Sequence, residues 1–300
     1  MGSNSDIMEH ESDTKVRVLY NGTRLPCIGY GTFPLKEKLS TTVPAAIRTG
    51  YELVDTSDNY LNEKFVGEGL KNANYPSSVV VQTKFSQPLR TKRLDRCFDE
   101  SESKLGGRID VYLIHWPYPF LWRIQWKKME KMYLAGRCKA IGVCNFKKKH
   151  LRRLFSFCKV KPMINQIERH PLYQQREAVE FSEAHGIQVM SYSPLARMDK
   201  RLMENPVLGE IAQAHGKTVS QVILRWNIEH GHIPIPASGS EEHIRGNFDV
   251  FDFSLSQEEV KRIDALESGT RVRYDPDTRF GWRMKLRFLW CRIKLIGKRI

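Results

Sequence analysis

The sequence predicts an α/β protein built as a closed parallel barrel of eight strand–helix units, (β/α)8. Three observations carry that expectation. Short apolar runs of strand type alternate with helix-period segments along most of the chain. At 300 residues the chain has the length for one such barrel, which takes about 250 residues. Asp55, Tyr60, Lys84 and His115 fall at or just past the carboxyl ends of successive strand-like runs, the end of such a barrel that carries chemistry.

The elements follow in order. Residues 1–15 are polar and read as a disordered lead-in. Residues 16–20 and 23–25 flank Asn21-Gly22, a pair whose tolerance of positive φ marks a β-hairpin. Strand 1 is expected over 27–33, with Gly29 and Gly31 allowing close backbone approach. Helix 1 is expected over 41–49, with Pro44 in its first turn. Strand 2 ends in Asp55, helix 2 covers 64–70, and strand 3 ends in Lys84. Helix 3 spans 91–105 and stops at Gly106-Gly107. Strand 4 ends in His115, and helix 4 covers 121–135. Strand 5 is 140–144, helix 5 is 147–158, strand 6 is 163–167, helix 6 is 176–185 and strand 7 is 187–192. A long loop, 193–205, precedes helical segments at 206–214 and 219–230. Strand 8 is 233–236, weakened by its prolines. Helix 8 is 241–248, and Ser256 with Glu259 forms a capping box opening a last helix to Leu266. The barrel domain so drawn is 16–278, with the arrangement known as a TIM barrel, and 279–300 is a basic amphipathic extension.

Composition narrows the function. The chain is 41% apolar and carries a net charge of +14. Eight basic residues with no acidic one lie in 279–300; without them the balance is +6, which is ordinary. No nucleic-acid-binding motif accompanies the charge, so no nucleic-acid partner is expected. The six cysteines are scattered, with no Cys-x-x-Cys and no metal-ligand spacing, so reduced thiols and no metal are expected. The amino terminus has no secretory pattern, which points to the cytoplasm. No Gly-x-Gly-x-x-Gly occurs, which argues against a Rossmann dinucleotide site.

Singly, the four strand-end residues have bland readings: a rim tyrosine, a solvated lysine, a turn aspartate, a structural histidine. Together they match a pattern. Asp55-Thr56-Ser57-Asp58-Asn59-Tyr60, Gln82-Thr83-Lys84 and Ile114-His115-Trp116-Pro117 resemble motifs of the aldo-keto reductases, in particular the bacterial-type members. Gly142-Val143-Cys144-Asn145-Phe146 and Asn165-Gln166-Ile167-Glu168-Arg169-His170-Pro171 are similar to two more. The likeness runs in order from about Val16 to about Thr278.

The resemblance implies NAD(P)H-dependent reduction of an aldehyde or ketone. In such a reaction hydride goes to carbon and a proton to oxygen. Tyr60 would supply the proton. Lys84 would lower the tyrosine pKa, Asp55 would hold the lysine, and His115 would orient the substrate oxygen. The resemblance also places NADPH or NADH across the barrel mouth. Asn145 and Gln166 would bind its carboxamide, with Cys144 where relatives have serine. Tyr192 would stack on the nicotinamide. Gly31, Thr32, Ser193 and Leu195 would lie along the cofactor, with Asn247 at the adenine. Many relatives grip the NADP 2′-phosphate with a lysine and an arginine; the matching positions are Ala237, beside Ser238, and His243. The 2′-phosphate site therefore reads as weakened. Phe33 and Trp116 are expected in the substrate wall, with Trp122 either there or packed under helix 4. The competing reading is a nucleotide-binding barrel acting as a non-catalytic sensing or scaffold subunit.

Wound as a helix, the tail puts Trp282, Leu286, Leu289, Trp290, Ile293 and Ile296 on one face and Met284, Phe288 and Leu295 on the other. Basic residues flank the first face. The expectation is a helix lying on an anionic membrane surface, against the alternative that its aromatic side packs on the barrel.

Overall fold

The computed structural model describes residues 15–296. The lead-in expected over 1–15 lies outside the described residues apart from Lys15, as do the last four residues of the tail. The chain opens with the hairpin β1 (Val16–Val18) and β2 (Arg24–Pro26), turned at Gly22 with φ 84°. The barrel strands are β3 (Tyr30–Gly31), β4 (Leu53–Asp55), β5 (Val80–Phe85), β6 (Val111–Ile114), β7 (Ala140–Cys144), β8 (Ile164–Glu168), β9 (Gln188–Tyr192) and β10 (Ile233–Ile235). The helices between the first seven are α1 (Leu39–Thr49), α2 (Glu63–Asn72), α3 (Leu94–Lys104), α4 (Trp122–Leu134), α5 (Lys148–Phe155) and α6 (Arg176–Glu183). Three helices, α7 (Lys200–Met203), α8 (Pro206–Ala214) and α9 (Val219–Glu229), separate β9 from β10. After β10 come α10 (Glu241–Phe248), α11 (Gln257–Asp264) and α12 (Trp282–Ile296).

All eight barrel strands pair in parallel, each with its sequence neighbour. The seam closes where Gly29 N–H donates to the Pro234 carbonyl (3.0 Å) and Gly31 N–H to the Pro236 carbonyl (2.9 Å). A Cβ on Gly31 would sit 3.0 Å from the Ile235 carbonyl, so glycine is what lets these strands meet. Pro234 of β10 and Pro236 just after it contribute carbonyls at this seam, where their missing N–H groups are not required.

Side chains alternate along the strands. On β6, Val111 and Leu113 point into the barrel while Tyr112 and Ile114 face the helices. At the amino end Leu19 and Leu25 of the hairpin join Leu53, Val111, Ala140, Ile164 and Ile233 in one buried cluster, plugging that end. Above it lies an amide layer, with Gln82 and Gln166 Nε2 each 3.3 Å from the Met190 sulfur. The opposite end stays open.

Several boundaries differ from expectation. Helix α1 starts at Leu39, so Pro44 lies beyond its first turn. The Ser40 carbonyl that Pro44 cannot serve accepts instead from Asn72 Nδ2 of α2 (2.9 Å). The region before α3 is a 3-10 turn, Pro88–Arg93. The loop expected over 193–205 contains a 3-10 turn, Ala196–Met198, and α7. Strand 1 is shorter than 27–33. The capping box forms as expected: Ser256 Oγ accepts from Glu259 N–H (3.2 Å), and Glu259 Oε2 from Ser256 N–H (2.7 Å).

The tail is helical, and it meets the barrel through the Phe288 and Leu295 side, opposite to the Trp282–Ile296 face expected on a membrane surface. Phe288 is the buried anchor, edge-on to Tyr118 (6.0 Å) and Phe280 (5.3 Å). Cys291 and Leu295 pack beside it. Phe288 wins because Tyr118 awaits it on the loop after β6, with Phe280 folded back from just before the helix; helical periodicity alone does not encode them. Trp282, Leu286, Trp290, Ile293 and Ile296 remain exposed. No helix among the described residues is long and apolar enough to cross a membrane.

Candidate active site

The open end of the barrel holds a cleft of about 320 Å³. The strand ends feed it directly. Asp55 closes β4, and the next turn, Asp58–Tyr60, swings Tyr60 over the opening. Asn62 pins that turn: its Oδ1 accepts from Thr56 Oγ1 (2.7 Å), and its Nδ2 donates to the Thr32 and Leu35 carbonyls (3.1 and 3.0 Å).

Lys84 on β5 is wholly buried. Its Nζ donates to Asp55 Oδ2 (2.6 Å), the Thr56 carbonyl (2.8 Å) and the Tyr60 hydroxyl (3.4 Å). Burial is the largest single influence and opposes the ammonium, but Asp55, Tyr60 and Cys144 together outweigh it, and the Lys84 pKa is raised. Asp55 Oδ1 also accepts from Gln82 Nε2 (2.5 Å) and Gln166 Nε2 (3.1 Å). A buried charge pair persists when its remaining lone pairs are met in this way. Sequence reasoning missed Gln82 as Asp55's holder, although it sits in the same motif as Lys84.

Tyr60 departs from expectation in one respect. Its pKa is raised, because its enclosure outweighs the opposing pull of the Lys84 ammonium. Tyr60 is therefore held as a phenol, the form that can give a proton. Its ring stands edge-on to His115 (5.6 Å) and tilted against Phe33 (5.0 Å).

His115 follows β6. Burial, then the Lys84, Arg279 and Arg273 cations, hold its pKa well below the usual histidine range, so it is neutral at physiological pH. Its Nδ1 lies 2.5 Å from Ser86 Oγ and 3.0 Å from Ser57 Oγ. A hydroxyl donating to Nδ1 leaves the proton on Nε2, so that His115 can donate a hydrogen bond. Neither serine stood out in the sequence, because only the fold brings them to the imidazole.

Of the other expected residues, Gly31, Thr32, Phe33, Trp116, Asn145, Gln166, Tyr192, Ser193, Leu195 and Ala237 line the cleft. Asn145, at φ 63°, donates from Nδ2 to the His115 carbonyl (3.0 Å) and accepts from the Tyr192 hydroxyl (2.7 Å). Each of these amides keeps further donor and acceptor capacity. An amide pair beside an aromatic platform is the donor set that a nicotinamide carboxamide and ring require, so the residues present fit that group.

Five residues do not line the cleft. Cys144 is buried inside the barrel, its Sγ 3.9 Å from Gln166 Oε1, because the inward positions of β7 face the core. Ser238 turns its Oγ to the Ser240 carbonyl (3.3 Å). His243 is exposed on α10, and Asn247 is buried on the same helix. Trp122 packs edge-on to Phe146 (5.5 Å) and against Phe157 (5.6 Å), which settles it as a helix-packing residue. Three arginines that the sequence reading did not assign, Arg197, Arg273 and Arg279, also line the cleft.

Comparison with known proteins agrees with this geometry. The model of the "Aldo/keto reductase family" matches residues 19–268. The uncharacterized oxidoreductase YtbE of Bacillus subtilis is 41% identical over 268 residues, covering 86% of this chain and 95% of that protein. The glyoxal reductase of the same organism is 39% identical over 264 residues, covering 86% and 95%. An aldo-keto reductase from Bombyx mori, solved in complex with NADP, superposes with a TM-score of 0.83 at 31% identity, covering 87% of this chain and 95% of that one. The relatives carry oxidoreductase names and give no support to a non-catalytic scaffold. With the barrel, the assembled tetrad and these likenesses together, the chain belongs to the aldo/keto reductase family and is a nicotinamide-dependent oxidoreductase.

Proposed function

We propose that this protein reduces the carbonyl of a small aldehyde or ketone, with Tyr60 giving the proton to the developing alkoxide. The observation that carries the reading is Lys84 Nζ placed between Asp55 (2.6 Å) and the Tyr60 hydroxyl (3.4 Å) at the floor of the cleft. NADPH or NADH, when bound, supplies hydride to the carbonyl carbon. Asn145 and Gln166 would hold its carboxamide, and Tyr192 would back the ring. Lys84 stabilises the phenolate that Tyr60 becomes after giving up its proton, and Asp55 keeps that ammonium in place. Neutral His115 donates from Nε2 to the carbonyl oxygen and orients it. Replacing Tyr60→Phe should lower kcat by roughly 10² or more with little change in the Kd for NADPH. A Phe variant that reduces glyoxal or methylglyoxal at near the wild-type rate would refute the assignment.

We propose two finer features. Discrimination for NADPH over NADH is weak, because Ala237 at the cleft edge offers no ammonium and His243 stands where the resembled pattern has an arginine. The protein also contacts anionic membrane surfaces peripherally through α12. The supporting observation is the exposed apolar strip from Trp282 to Ile296, with Arg283, Arg287 and Lys294 exposed alongside.

A further inference from the structure

We propose that the physiological substrate carries an anionic group, a carboxylate or a phosphate, a short carbon chain away from its carbonyl, and that Arg273 and Arg279 hold it. The inference rests on the carbonyl-reductase reading above and adds the substrate class.

Both arginines line the cleft, and each is one aromatic ring away from a catalytic side chain. The Arg279 guanidinium lies over Trp116 (4.1 Å), whose ring stacks on His115 (6.0 Å, 23° between planes). Arg273 lies over Phe33 (5.2 Å), whose ring meets Tyr60 (5.0 Å). Two cations thus stand on the two aromatic rings that touch Tyr60 and His115, and both also lie over the Tyr274 ring (5.9 and 4.7 Å).

Neither cation has an acidic partner among the described residues, whereas its neighbours do. Arg271 pairs with Asp275 (2.9 Å), Lys147 with Asp275 and Asp277 (2.9 and 2.7 Å), and Lys149 with Asp277 (2.8 Å). The acidic residues of this segment are therefore taken, and Arg273 and Arg279 are left over. Asp55, the carboxylate lining the cleft, is engaged by Lys84, Gln82 and Gln166. Arg279 Nε is buried and has no hydrogen-bond partner. Its pKa is lowered, chiefly by burial and further by the Arg273 cation, against the opposing pull of Tyr118, Tyr274 and Tyr192.

Cation–π contact compensates a half-buried guanidinium through its face only and leaves its N–H edges unmet. A planar fork of such donors suits a bidentate oxyanion. An anion between the two arginines would relieve their mutual repulsion and satisfy the orphaned Nε. The third lining arginine, Arg197, belongs to the loop after β9 with Ser193 and Leu195, on the side assigned to the cofactor.

The test compares matched pairs on the full-length enzyme with NADPH: 4-oxobutanoate against butanal, and glyceraldehyde 3-phosphate against glyceraldehyde. The expected result is a kcat/KM at least tenfold higher for the charged member of at least one pair, carried mainly by KM. The pair that shows it tells carboxylate from phosphate. Arg273→Gln and Arg279→Gln should each reduce that preference about tenfold or more, with Arg279→Lys retaining part of it. Calorimetric titration of the NADP-bound enzyme with succinate, which cannot be reduced, should show binding that the double Gln variant loses. Equal or better turnover of both neutral members would overturn the proposal and leave the reductase reading standing. A preference for charge that survives both Gln substitutions would also overturn it, as would a tenfold weaker NADPH Kd as their sole effect. Turnover of none of the four carbonyls would count against the reductase reading itself; succinate binding would then still report on the arginines.

Discussion

At Ala237 a methyl group faces the cleft where the resembled pattern has an ammonium, and His243, at the second position, is exposed. Charge-assisted hydrogen bonds are worth about 1.5–3 kcal/mol each, so losing two removes most of a large preference. The Kd ratio for NADH over NADPH should therefore be well under about a thousand, and Ala237→Lys with His243→Arg should raise it by roughly tenfold or more per added bond. A wild-type ratio of a thousand would contradict this. Single residues were legible in the sequence where a motif fixes them to a strand end, as with Asp55, Lys84 and His115. Gln82, Ser57 and Ser86 were not, because their roles depend on which side chain the barrel brings opposite. The direction of the Tyr60 shift was also hidden, since sequence shows the lysine but not the depth of enclosure.

At the scale of elements, periodicity located every barrel strand and erred mainly at ends, where capping and tertiary packing decide. It read α12 as a helix and expected the Trp282–Ile296 face to lie away from the barrel, which is the face left exposed; what it did not show is that Phe288, on the far side, is the anchor. The helix has two apolar sides, and Phe288 finds Tyr118 and Phe280 on one of them. The side left exposed carries Trp282, Leu286, Trp290 and Ile293, and Lys294 Nζ sits 3.5 Å over the Trp290 ring. Basic residues near an anionic surface contribute about 1 kcal/mol each. Full-length protein should therefore pellet with phosphatidylserine vesicles at low salt and be released as salt rises. A chain ending at Thr278 should stay in the supernatant. So should Leu286→Glu with Trp290→Glu, which keeps the Phe288 anchor. Negligible pelleting of the full-length protein would end the membrane reading.

The whole molecule carries its own pH dependence. Burial holds His115 and His232 well below the usual 6.5 and His150 at about 4. Below pH 6.5 the unfolded chain takes up these protons before the folded one, so stability falls with pH. Asp58 works the other way: burial raises its carboxyl to about 6, so the folded state binds that proton first. Glu183, also raised by burial, works the same way as Asp58, so three protons stand against two, a net of one to two, or about 1–3 kcal/mol per pH unit near pH 5. The urea midpoint should drop clearly from pH 7 to pH 5, and a flat or rising profile would contradict the balance. The barrel as a whole was legible because eight alternations leave few other topologies. Its hidden parts, the seam and the docked tail, are contacts between distant stretches of chain.

That seam sets a schedule for synthesis. The bond from Gly31 to Pro236 joins residues roughly 200 apart, and ribosomes add about 5–20 residues per second. On that clock the first strand waits on the order of 10–40 s for its second neighbour. Until then β3 and the growing edge opposite it are open rows of unsatisfied backbone groups, the kind of edge that pairs with other chains. The nascent protein is thus most exposed to aggregation just before its last strand emerges, and partial barrels are natural clients for chaperones.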